Sequence, residues 1–140
     1  MRGLVLAVLA LAGLAALPAS AQTNTIVSFR TPSANIYCAY TSGFGPAFLR
    51  CDIRSHLRPA PRPRACGEGV YGESVGMTKT AAARVLCISD TTYNPNARAL
   101  AYGTTWARDG FRCTSRSAGL TCTNSRGHGF FLSRESWRVY

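Results

Sequence analysis

The chain has 140 residues, with sixteen Lys and Arg against six Asp and Glu, and six Cys. That length fits one domain and excludes a multidomain enzyme. Hydrophobic residues make up 46%, too many for a disordered basic tail, and charged residues only 16%, so the net charge of +10 reflects scarce acids rather than dense cationic tracts.

Residues 1–21 read as a secretion signal. Arg2 gives a positive start, Leu4 to Leu17 run apolar, Pro18 breaks the helix, and Ala19-Ser20-Ala21 forms a small-residue cleavage site. The apolar run falls short of the roughly twenty residues a membrane span needs. No Cys follows the cleavage site to carry a lipid anchor. The expectation is export to the periplasm or the medium, with residues 22–140 forming a single domain that has no transmembrane span. This mature chain keeps all six Cys and a charge of +9. An oxidising compartment permits disulfides.

Strand signals then follow in order. Ser33-Ala34-Asn35 turns into Ile36–Tyr40, and Cys38 and Cys51 flank the turn residues 41–46. The Pro/Arg-rich loop 54–66 interrupts the strands. Its alternate prolines favour an extended, polyproline-II-like path. Residues 67–72 fit G-x-G-x-x-G as a string, but Pro-rich coil precedes them and no helix follows to hold a pyrophosphate, so no cofactor is expected. Met77–Leu86 is the one stretch with helical content, and its β-branched ends favour a turn and a strand instead. Asp109-Gly110 is a tight-hairpin dipeptide before Phe111–Thr114. Cys113 and Cys122 flank residues 115–119, and the turn 124–127 leads into Phe130-Phe131-Leu132. The pattern predicts an all-β, disulfide-braced domain of about eight or nine short antiparallel strands.

Cysteine spacing offers no C-x-x-C, and neither His56 nor His128 has a Cys or His at zinc-ligand spacing, so no metal site is expected. Cys38, Cys51, Cys87, Cys113 and Cys122 each follow an apolar residue by two positions, which in a strand puts both on one face and predicts five core-facing Cys. Cys66, preceded by Arg64, is the exception. Hairpin placement predicts Cys38–Cys51 and Cys113–Cys122, leaving Cys66–Cys87 to pin the Pro-rich loop onto a strand.

Chemistry-bearing residues are fewer. His128 stands between Gly127 and Gly129, where an imidazole could be presented as a general acid or base if a second titratable group lay within reach. The plainer reading is a turn histidine. His56 lies beside Arg54 and Arg58 and reads as part of a solvated basic segment. No G-x-S-x-G, H-E-x-x-H or P-loop occurs. Arg50, Arg54, Arg58, Arg62 and Arg64 fall within fifteen residues and are the anion-binding candidates, with Arg108, Arg112, Arg116 and Arg126 a second group. Such a domain is drawn to polyanions: envelope polymer, acidic polysaccharide or nucleic acid. Nucleic acid has the least support, because base stacking needs adjacent aromatics and Tyr40 and Phe48 suit a core equally. The bland account of the arginines is solubility and codon preference.

Several segments carry a family resemblance. They are residues 29–38, Leu49-Arg50-Cys51-Asp52-Ile53, residues 86–91, Leu100-Ala101-Tyr102-Gly103, residues 119–124, and Gly127-His128-Gly129-Phe130-Phe131-Leu132-Ser133. Together they resemble a family of small exported bacterial proteins classed as a domain of unknown function. The likeness implies export and a disulfide-bearing domain, and supplies no catalytic residue. Where the family has Ser-Gly-Asn before the first Cys, this chain has Ala34, a departure that implies an altered turn.

The balance favours a non-catalytic exported binding module using arginines on an anionic partner. A small basic hydrolase of RNA or phosphodiesters using His128 is the alternative, and an inhibitor of an extracellular enzyme a third reading. An outer-membrane barrel is rejected because membrane strands need roughly 9–11 residues.

Overall fold

A computed structural model describes residues 23–61, 66 and 73–140. The segment expected to be a secretion signal, Arg62, Arg64 and the glycine-rich string 67–72 lie outside the described residues. Eleven strands are present among them: β1 (Thr25–Arg30), β2 (Ile36–Ser42), β3 (Phe48–Ile53), β4 (Ser74–Thr78), β5 (Arg84–Leu86), β6 (Arg98–Ala99), β7 (Thr105–Arg108), β8 (Phe111–Arg116), β9 (Gly119–Thr123), β10 (Gly129–Leu132) and β11 (Trp137–Val139). The count exceeds eight or nine, and β6 and β11 are only two and three residues long, too short to register as periodic segments. Met77–Leu86 is strand, turn and strand, and no described residue is helical.

The strands form two sheets, ordered β5-β4-β3-β2-β1-β6 and β11-β10-β9-β8-β7. Every pairing is antiparallel except β1 with β6. Period-two alternation decides what each face carries. In β8, Phe111, Cys113 and Ser115 are buried while Arg112 and Arg116 are exposed. Ile36, Cys38 and Tyr40 of β2 and Leu49, Cys51 and Ile53 of β3 join Leu120, Cys122, Phe130 and Leu132 from the second sheet in one core. Trp106 closes that core beside Phe29, their ring centroids 4.9 Å apart.

Disulfides join Cys38 to Cys51, Cys66 to Cys87, and Cys113 to Cys122. Cys38 and Cys51 are direct register partners, as are Cys113 and Cys122. Four of the five cysteines expected in the core are there, each fully buried. Cys87 is not; it is exposed, because β5 ends at Leu86 and the chain has left the sheet's alternation by the next residue. The bridge to Cys66 therefore anchors just beyond a strand rather than within one.

Turn chemistry follows the local residues. Asp109 and Gly110 both take positive φ, 47° and 85°, the left-handed pair a two-residue hairpin turn requires. Ala34 is also left-handed, at φ 53°. The Arg58–Pro59 bond is cis, a departure from a polyproline-II run at that point. Trp137 Nε1 donates to the Pro59 carbonyl at 2.7 Å and holds this loop against the second sheet.

The sheets are also tied by polar contacts at one end. Asn124 Nδ2 donates to the carbonyls of Thr78 and Ala81. Lys79 Nζ meets Asp109 at 2.8 Å, and Tyr40 donates to the same carboxylate at 3.3 Å. The Lys79 hydrogen bond, and then its charge, hold Asp109 below the usual carboxylate range.

Candidate functional site

β5 and β6 lie at opposite edges of the first sheet, so the chain between them must cross it. The inner face is filled by the core, and the crossing runs over the outer face. Outward-facing residues of β2 and β3 receive it. Thr92 donates its backbone N–H to Asp52 at 2.7 Å and its hydroxyl to the Tyr37 carbonyl at 2.8 Å, while Tyr93 packs edge-on against Tyr37.

Arg50 is the centre of this attachment. Its Nε and Nη2 make a bidentate pair with Asp52 at 2.8 and 2.9 Å. Nη1 donates to the Asp90 carboxylate at 2.7 Å and Nη2 to the Asp90 carbonyl at 2.6 Å. Its side chain is only 13% exposed. Beside the crossing segment lies a groove of about 610 Å³, with Ile26, Phe48, Leu86, Ile88 and Tyr93 among its walls.

The arginines proposed as one anion-binding group do not share one role. Arg50 is committed to two carboxylates. Arg54 is exposed and stacks over the Tyr93 ring, 5.4 Å from its centroid. Arg58 is exposed in the loop, and Arg62 and Arg64 lie outside the described residues. Tyr40 belongs to the core.

His128 sits half-buried in the β9–β10 turn. Its backbone is held by Asn124, which accepts from its N–H and donates to its carbonyl. Among the described residues no hydrogen bond or ion pair reaches its imidazole. Four of the five described carboxylates are engaged elsewhere, Asp52 and Asp90 with Arg50, Glu73 with His56, and Asp109 with Lys79. His56 is thus an exposed ion-pair partner. No group of three or more described His, Cys, Asp or Glu stands close enough to hold a metal.

Cationic side chains converge instead on the outer face of the second sheet. Arg112 and Arg116 point outward from β8, and Arg138 points outward from β11, where Trp137 turns to the core. No Asp or Glu lies on an outward position of β7 to β11. Register places Thr105, Thr114, Thr121, Phe131 and Arg138 in one row across five strands. The Arg138 guanidinium lies 5.1 Å above the Phe131 ring. Gly119 gives that ring its seat, since a Cβ there would stand 2.6 Å from it. Tyr140 lies over Gly129 in the same way.

Arg112 and Arg116 belonged to the second arginine group in the sequence, and their spacing of four puts them on one strand face about 13 Å apart. Arg138 was missed. Its joining the same face depends on the order of β8, β9, β10 and β11, which no local spacing reveals.

Two packed β-sheets with three disulfides define the class: an all-β, disulfide-braced domain. The chain belongs to DUF6636, a family of unknown function whose model matches residues 7–140. No curated protein and no solved structure matches it. No described helix is long and apolar enough to cross a membrane.

Proposed function

We propose that this chain is an exported, non-catalytic binding module that takes an anionic polymer, an acidic polysaccharide of the cell envelope in particular, on the outer face of the second sheet. The observation that carries the reading is the grouping of Arg112, Arg116 and Arg138 on a face whose strands carry no Asp or Glu, interspersed with threonine hydroxyls and the Phe131 and Tyr140 rings. Guanidinium groups bind carboxylate and sulfate in paired hydrogen bonds, and hydroxyls and ring faces suit sugar units between the charges. Export agrees with the signal-like residues 1–21 and with three disulfides, which persist in oxidising compartments. The hydrolase alternative gains nothing from the surroundings of His128.

Retention on immobilised polygalacturonate under a salt gradient tests the reading. The triple variant R112Q/R116Q/R138Q elutes at lower salt than R54Q/R58Q/R98Q, which removes the same charge elsewhere. Equal elution of the two would leave only net charge and end the assignment to this face. His128→Ala elutes with the wild type.

A further inference from the structure

At one end of the domain four turns meet around a cleft of about 160 Å³. The turn before β2 contributes Ser33, the β6–β7 turn Tyr102, the β8–β9 hairpin Arg116 and Ser117, and the β10–β11 turn Arg134 and Glu135. Charge pairing here departs from the rest of the molecule. Every other described carboxylate is bonded to a basic side chain. Among the described residues Glu135 has no such partner, although Arg134 precedes it, and neither Arg116 nor Arg134 forms an ion pair.

The unpaired charges are held on a fixed frame. Ser133, itself buried, accepts from the backbone N–H groups of Glu135 and Ser136 at 3.3 and 3.0 Å and donates to the Ser136 carbonyl. On the facing wall Thr31 and Ser33 share a hydrogen bond of 3.1 Å, and the Thr31 hydroxyl accepts from the Ile36 N–H. The turn backbones are therefore ordered before any ligand arrives, which lowers the entropic cost of binding.

The geometry points to this cleft as the seat of one acidic sugar unit, a hexuronate carrying a carboxylate beside ring hydroxyls. Two guanidiniums supply the donors a carboxylate takes, while Glu135 accepts from a sugar hydroxyl and repels a second anionic group. Arg116 also belongs to the outer face of the second sheet, so a chain lying on that face reaches the cleft with one of its units. The inference rests on the polysaccharide reading and names the unit that reading leaves open.

The test is an NMR titration of the full domain with sodium glucuronate, glucose and sodium acetate at constant ionic strength. Glucuronate shifts the amides of Ser117, Arg134 and Glu135 and binds more tightly than acetate, and glucose leaves these amides in place. R134Q weakens glucuronate by about tenfold, the loss expected for a hydrogen bond to a charged group. Glu135→Ala, which removes the acceptor, weakens glucuronate relative to acetate, which has no hydroxyl to lose. Both substituted residues are exposed, so both variants fold. Glucuronate binding no tighter than acetate, or unchanged in R134Q, overturns the assignment. Retention on polygalacturonate without glucuronate shifts in the cleft sinks the cleft alone. Glucuronate binding in the cleft by a protein that polygalacturonate does not retain sinks the polymer reading alone.

Discussion

The Arg50 guanidinium holds Asp90 twice, taking its carboxylate through Nη1 at 2.7 Å and its backbone carbonyl through Nη2 at 2.6 Å. Forty residues separate the two. The contact fixes the segment between β5 and β6 where it passes over β3, and so sets one wall of the groove on the first sheet.

Removing Arg50 and removing the Asp90 charge should therefore cost very different amounts. Arg50→Met leaves the mostly buried Asp52 carboxylate without its bidentate partner and is expected to destabilise the domain by about 3 kcal/mol. Asp90 is 79% exposed, so Asp90→Asn should cost far less, its carbonyl bond to Arg50 surviving. Denaturant unfolding of the two variants decides this, and equal losses would contradict it.

Acid should release the crossing segment late. The Arg50 hydrogen bond, and then its charge, hold Asp90 below the ordinary carboxylate value of 3.8. A carboxylate with a depressed folded-state pKa contributes its stabilisation in full above the unfolded value and loses it as pH falls through the folded one. In an NMR titration the Asp90 carboxyl should keep its ionised shift to lower pH than an unfolded aspartate, and Arg50→Met should restore the ordinary midpoint. An unshifted wild-type midpoint would refute the pairing in solution.

Ala34 occupies a backbone conformation better suited to glycine. Left-handed φ costs an L-residue about 1–2 kcal/mol, and the greater freedom of unfolded glycine returns part of that gain. Ala34→Gly is expected to raise stability by about 0.5–1 kcal/mol and the melting temperature by about 2–5 °C. A lower melting temperature would place the turn in another conformation.

The disulfides should open in order of access. Cys38, Cys51, Cys113 and Cys122 have no exposed surface, whereas Cys87 is exposed and Cys66 half-buried. Exchange requires a thiolate to reach a sulfur. Mild reductant on the native protein, followed by alkylation and mass spectrometry, should label Cys66 and Cys87 first. Early labelling of Cys38 or Cys113 would mean that the core opens more readily than its burial implies.

Much of the frame was legible along the chain because its causes are local. Alternation in Phe111–Ser115 put one set of side chains inside, Asp109-Gly110 named its own turn, and short turns left Cys38 facing Cys51 and Cys113 facing Cys122. The same local rule failed at Cys87, because an apolar residue two positions earlier implies a shared face only while the strand continues.

By itself the sequence determined an all-β class, the hairpins and their bridges, and a strongly basic composition. Only the tertiary structure decided which arginines act together. Asp52, two residues along β3, is a local partner of Arg50, but Arg50 is spent on Asp90 as well because β5 and β6 end up on opposite edges of one sheet, which forces the intervening chain across β3. Arg138 reaches Arg112 and Arg116 because three successive pairings carry it onto their face. Both outcomes depend on strand order, and strand order is set by packing two whole sheets around one core rather than by the residues on either side of any arginine.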